Sequence, residues 1–158
     1  MPATTEASAK PSASNIYLSW MIARHLPAVL DIENASHASP WSSDDFLRCL
    51  RNRNCIGMVA EQCGDVVGYM VYGMFDRSIE LLNIAVCPKH RLQGIGSQML
   101  AALEYKLTAS HRRDKLTLLV RERNVVAQIF FRKHGFRATQ VIRDCFQGED
   151  GYWMELGK

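Results

Sequence analysis

No apolar run in the chain approaches the roughly 20 consecutive residues that a membrane span requires, so no spanning helix is expected. The opening MPATTEASAKPSAS has no apolar core of the signal-peptide kind. Rich in Ala, Ser, Thr and Pro, residues 1–14 have almost nothing to bury and are expected to form a disordered tail on a soluble, cytoplasmic protein. The five cysteines, Cys49, Cys55, Cys63, Cys87 and Cys145, form no CxxC pair and share no zinc-type spacing with the five histidines. They read as reduced thiols, and no metal site is expected. A net charge of +3 is too small to make the chain a nucleic-acid binder by itself.

What is present is a hydrophobic fraction of 47% in 158 residues, enough for one domain with one sizeable core, expected over 15–158. Between Pro88 and Arg143 there are twelve Lys/Arg against three Asp/Glu, a local excess suited to an anionic ligand. The alternation in IYLSWMI predicts a strand, and Leu26, Val29, Leu30 and Glu33 recur with helical spacing, with Pro27 in the first turn. Ser42 with Asp45 three residues on resembles a capping box, opening a helix that buries Phe46, Leu47 and Leu50. IGMVAEQ, the turn CGD, VVGYMVYGMF and SIELLNIAV predict three antiparallel strands. A helix then carries Ile95, Met99, Leu100, Leu103 and Leu107 on one face, followed by the strand KLTLLVRE. Asn124 caps VVAQIFFRKH, which stops at Gly135, and FRATQVIRDCF and GYWMEL close the chain as two strands. The order β-α-α-β-β-β-α-β-α-β-β predicts an α/β (α+β) domain, a mixed sheet with helices on both faces.

The segment HRLQGIGSQML fits neither GxxxxGK[ST] nor GxGxxG, which sets aside the two nucleotide loops. What remains is a glycine loop whose bare amides converge at a helix start, where the dipole and Arg91 add positive charge; a diphosphate suits it. NIAVCP with HRLQGIGSQML, and LLVRERNVVAQIFFRKHGF after it, resemble in order the two coenzyme A signatures of the GCN5-related N-acetyltransferase (GNAT) superfamily. SHASPWSSDDF, LLNIAV and VRERN resemble the branch that acetylates the N-terminal alanine of ribosomal protein S18.

That resemblance implies a mainly antiparallel sheet with a splayed strand pair, acetyl-CoA as cosubstrate, and no metal. It implies that the pantetheine arm pairs with the backbone of Ile84, Ala85 and Val86. The diphosphate would lie on Arg91, Leu92, Gln93, Gly94, Ile95, Gly96 and Ser97, with Asn124 and Phe131 beyond. Arg132, Lys133 or Arg137 are candidates for the 3′-phosphate. The Val86 N–H is the implied oxyanion donor. The branch's glutamate base and tyrosine acid fall at Leu119 and Phe131 here. Uninterrupted strand alternation puts Glu80 on the face of Leu82, Ile84 and Val86, making it the candidate base through water. The acceptor is expected to be a protein N-terminal amine, such as that of a ribosomal protein. A small amine and an acyl-CoA-binding module with little catalysis stay open as alternatives.

Overall fold

The computed structural model describes residues 15–158, so the expectation of a tail over 1–14 lies outside the described residues. Seven strands form one sheet: β1 (Tyr17–Trp20), β2 (Cys55–Gln62), β3 (Asp65–Met74), β4 (Ser78–Val86), β5 (Lys115–Arg121), β6 (Arg137–Ile142) and β7 (Gly151–Gly157). Their spatial order is β1-β2-β3-β4-β5-β7-β6. Pairing is antiparallel throughout except between β4 and β5, which run parallel. Four helices, α1 (Leu26–Ser36), α2 (Ser43–Arg51), α3 (Ile95–Ala109) and α4 (Val125–Lys133), complete the α/β domain.

Local chemistry explains the element ends. Cys63 and Gly64, at φ 51° and 83°, make the two-residue turn that joins β2 to β3 with the strand twist preserved. The Ser42 hydroxyl accepts from the Asp45 amide at 3.2 Å and the Asp45 carboxylate accepts from the Ser42 amide at 2.8 Å, closing the capping box of α2. The Asn124 side chain accepts from the Ala127 amide at 3.2 Å and starts α4.

Each face of the sheet has its own core. On one, Met70, Tyr72, Ile79 and Leu81 pack with Ile95, Met99, Leu100, Leu103 and Leu107 of α3. On the other, Val59, Tyr69, Val71 and Ala85 pack with Val29 and Ile32 of α1 and Phe46 of α2. Gly68, in the middle of β3, faces the backbone closely: a Cβ there would lie 3.1 Å from the Ala85 carbonyl oxygen and 3.2 Å from Met99 Cε. The carbonyl cannot give way as a side chain can, so Gly68→Ala is expected to lower the unfolding free energy by about 1–3 kcal/mol. A fall in the urea midpoint at constant slope would show it.

Two irregularities of β4 position the site. Leu82 is an extra residue in the ladder, since Tyr72 pairs Leu81 while Val71 pairs Asn83. This bulge reverses the alternation. Ile79 and Leu81 belong to the α3 core, but beyond Leu82 it is Ile84 and Val86 that pack there, while Ala85 joins the α1 core. Glu80 pairs with Gly73, where a Cβ would point toward Phe75 and Leu82, and so lies opposite to Ile84 and Val86. Uninterrupted alternation put it on their face; the bulge is the physical reason for that correction. The second irregularity is a fork. β4 pairs β5 only from Ser78↔Lys115 to Leu81↔Leu118, and beyond that point the two strands part.

Candidate active site

The fork opens into a groove of about 1220 Å³ whose walls run from Leu81 to Val86 on β4 and from Leu118 to Arg121 on β5. Backbone direction decides what β4 offers to it. The Cys87 amide donates to the Val67 carbonyl at 2.7 Å, and successive strand residues alternate in hydrogen-bonding direction, so Ala85 and Asn83 also turn their main-chain groups toward β3. Ile84 and Val86 therefore turn theirs into the fork. The Val86 carbonyl already accepts from Arg91 Nε at 3.0 Å. Ala85, expected in the same pairing set, lines the groove but spends its amide and carbonyl on the sheet.

At the far end of the groove stands the start of α3. Gly94, at φ 80°, is the N-cap, and its carbonyl accepts the first helical bond, from the Gln98 amide at 3.0 Å. The amides of Ile95, Gly96 and Ser97 thus precede any intrahelical acceptor and are available to an anion at the positive end of a 15-residue helix. All residues expected along the pantetheine and diphosphate, and Asn124 and Phe131 beyond, line this groove except Gln93. Gln93 is exposed and sits between two residues with positive φ, Leu92 at 62° and Gly94 at 80°. Arg91 is more structural than its charge suggested. Besides Val86 it reaches the Ser36 hydroxyl with Nη2 at 2.9 Å, tying the loop to α1.

The opposite wall is α4. Asn124, Phe130, Phe131, Lys133 and His134 line the groove, whereas Arg132 and Arg137 do not. His134 Nε2 lies 3.0 Å from the Ser97 hydroxyl and its ring packs on Phe130 at 4.8 Å, fastening the end of α4 to the start of α3. Phe131 has a dual position: it borders the groove yet is buried in the α3-side core against Phe136. Leu119 borders the groove on the α1 side and, with Cys145 and Phe146, would crowd a side chain at Gly151.

Where the groove passes α1 there is a polar cluster that sequence reasoning did not single out. Glu33 is 1% exposed. Its Oε1 accepts from the Trp41 amide at 3.0 Å, and its Oε2 accepts from the Tyr69 hydroxyl and from Asn83 Nδ2, the latter at 3.0 Å. His37 Nε2 lies 3.6 Å from the same Oε2. Trp41 both lines the groove and anchors its loop, packing on Phe46 at 5.2 Å. A signal for the cluster existed: Glu33 occupies a stripe position of α1, where a carboxylate can be tolerated only with partners. On the β6–β7 side, Glu149 accepts from the Arg123 amide at 2.9 Å and from Arg121 Nη1 at 3.2 Å, and Arg121 lies over the Phe146 ring. These hydrogen bonds, the Arg123 amide first, hold the Glu149 carboxyl below its ordinary value.

Glu80 stands outside the groove. It pairs with Gly73 and Thr117 in the closed part of the sheet, one residue before the last β4–β5 pair. Partial burial raises its carboxyl above the ordinary value.

A fork with inward amides, closed at one end by a glycine-started helix, agrees with the comparisons to known proteins. The acetyltransferase (GNAT) domain model matches residues 53–138. The ribosomal protein bS18-alanine N-acetyltransferase of Escherichia coli K12 is 30% identical over 128 residues, covering 80% of this chain and 84% of that protein. A candidate bS18-alanine N-acetyltransferase of Bacillus subtilis is 31% identical over 130 residues, covering 80% and 85%. The crystal structure of the Escherichia coli ribosomal-protein-S18-alanine N-acetyltransferase superposes with a TM-score of 0.80 at 27% identity, covering 90% of this chain and 94% of that one. The chain belongs to the GNAT acetyltransferase family, and its similarity within that family runs to the bS18-alanine N-acetyltransferase branch.

Proposed function

We propose that the protein transfers the acetyl group of acetyl-CoA to the N-terminal α-amine of a protein, with an alanine-start chain such as that of ribosomal protein S18 as the first acceptor to test. The observation that carries this reading is the fork: the amides of Ile84 and Val86 face a groove that ends on the amides of residues 95–97. A pantetheine chain can complete the sheet there, with its diphosphate on the helix start and Lys133 at hand for a further phosphate. In this arrangement the Val86 N–H is the main-chain donor proposed for the oxyanion, a group that side-chain substitution does not remove.

The acceptor follows from relative basicity. A protein α-amine has a pKa of about 7.7–8.0 and a lysine side chain about 10.4, so near neutrality an α-amine is neutral several hundred times more often. With Leu119 where the resemblance implies the branch's glutamate, a weak-base site favours the α-amine. Glu80 can act in this scheme only through water, because its strand position keeps it out of the groove.

Thiol release from acetyl-CoA with an alanine-start peptide is the test. Turnover with that peptide, and less with a panel of small amines, is expected. No turnover above background at saturating peptide overturns the proposal, and faster turnover of small amines moves the acceptor class to them. In the same assay, an unchanged rate and pH profile for Glu80→Gln removes that carboxylate from the chemistry.

A further inference from the structure

Resting on the acetyltransfer reading above, we infer that His37 is the base that takes the proton of the acceptor amine, with the buried carboxylate of Glu33 as its positioning residue. The resemblance puts Leu119 and Phe131 where the branch carries a glutamate base and a tyrosine acid, and on that expectation a proton acceptor has to come from elsewhere along the groove walls. His37 is the imidazole at the right place. It follows the last residue of α1, lines the groove, and is 31% exposed, so it is open to an incoming amine.

The ring's surroundings fit a base better than a packing residue. Its Nε2 is buried and has no hydrogen-bond partner, yet it faces Glu33 Oε2 at 3.6 Å. Glu33 itself cannot do the work. Its carboxylate is 1% exposed and its two oxygens are already occupied by three donors, Trp41 N–H, Tyr69 O–H and Asn83 Nδ2, which leaves almost no surface for an incoming amine. What a fixed, buried carboxylate does well is hold a neighbouring imidazole in one tautomer and one orientation, the role of the third group in a nucleophile–base–orienter set.

The same network fixes where this happens. Asn83, which donates to Glu33 Oε2, precedes Ile84, the first β4 residue beyond the bulge whose amide faces the fork. The other charged or titratable groups at this corner are Tyr69 from β3, His90 and Arg91 from the segment after β4, with Arg91 bonded to Ser36 beside His37.

The step balances without any further reactant. With Nε2 turned to Glu33, His37 Nδ1 takes one proton from the bound ammonium and later releases it to solvent. The freed nitrogen lone pair bonds to the thioester carbonyl carbon, the C–S bond breaks with its electron pair on sulfur, and the second nitrogen proton passes to the thiolate, giving an amide and free coenzyme A.

The test compares His37→Gln with the wild type from pH 6 to pH 9, using acetyl-CoA and the alanine-start peptide. At pH 7 about a tenth of α-amines with pKa near 8 are already neutral, so losing the base is expected to lower kcat about tenfold. The deficit should close as pH rises and the amine supplies its own neutral form, with KM for acetyl-CoA unchanged. A merely structural role gives a deficit independent of pH, and that outcome overturns the inference. So does a variant with wild-type kcat throughout. His37→Asn gives a second copy of the measurement should the first variant fold poorly. A wild type inert to every amine but able to bind acetyl-CoA would overturn the acetyltransfer reading and this inference with it, whereas an active wild type with an unaffected variant overturns this inference alone.

Discussion

Glu33→Ala is expected to lower the unfolding free energy by about 3 kcal/mol, a loss out of proportion to one side chain at a groove wall. Hydrogen bonds to a charged group contribute about 1.5–3 kcal/mol each, and a buried donor left without a partner costs about 1–3 kcal/mol. Alanine removes the acceptor of Trp41 N–H, Tyr69 O–H and Asn83 Nδ2 together, with Tyr69 wholly buried. The carboxylate's own desolvation is relieved at the same time, which is why the total stays below the sum of the three. Glu33→Gln should cost about 1 kcal/mol, within the net value of one hydrogen bond. Trp41 N–H can only donate, and the amide oxygen of glutamine can face it. Tyr69 can accept through its hydroxyl and Asn83 through Oδ1, so both can turn to meet the new NH₂ group. Urea unfolding of the two variants separates the cases: equal losses would mean that the three bonds do not act as a unit, and a loss under about 1 kcal/mol for alanine would mean that water replaces the carboxylate without penalty.

That cluster also shows where sequence reading stops. The elements were legible because each rests on local signals: the Ser42–Asp45 box, the Cys63–Gly64 turn, the Asn124 cap, the apolar run of β3 and the alternation of β5. The groove's outline was legible through a family resemblance; of the expected contact residues Gln93 fell outside it, as did Arg132 and Arg137 among the three candidates for the 3′-phosphate. The side-chain face of Glu80 was not legible. A bulge adds one residue to a ladder and leaves no mark in composition, since Leu82 is as good a strand residue on either face. Glu33 shows a different limit. Its helical spacing put it on the buried stripe of α1, but its meaning came from Tyr69 and Asn83, 36 and 50 residues away, which only the folded chain brings to it. Arg91 is the reverse case, a charge legible as an anion contact that folding also employs as a tie between the Val86 carbonyl and Ser36.

Gly96→Val is expected to raise the dissociation constant for acetyl-CoA about 10²-fold, equivalent to about 2.7 kcal/mol, while the fold persists. The glycine is in the first turn of α3, so a side chain there does not break a helical bond, and the propensity of valine relative to glycine does not disfavour it. What it lacks is room. A Cβ at this position would meet Phe130 Cζ at 3.1 Å and Cε2 at 3.5 Å, with Val86 Cγ2 at 3.8 Å. Phe130 is a groove-lining ring already packed edge-on against Phe131 and His134 at 5.3 Å and 4.8 Å, so its displacement is transmitted to the α4 wall. The two γ-methyls of valine would then stand where an anion has to approach the amides of residues 95–97, and losing one or two charge-assisted bonds of about 1.5–3 kcal/mol each gives the stated magnitude. Gly96→Ala should fall between, at about tenfold, because its single methyl asks only the ring edge to move. Calorimetric titration with acetyl-CoA reads the binding loss and urea unfolding reads the stability. Wild-type affinity in both variants would place the diphosphate elsewhere than on the start of α3. A binding loss matched by an equal loss of stability would assign the glycine to packing of α3 against α4, with no direct part in holding the ligand.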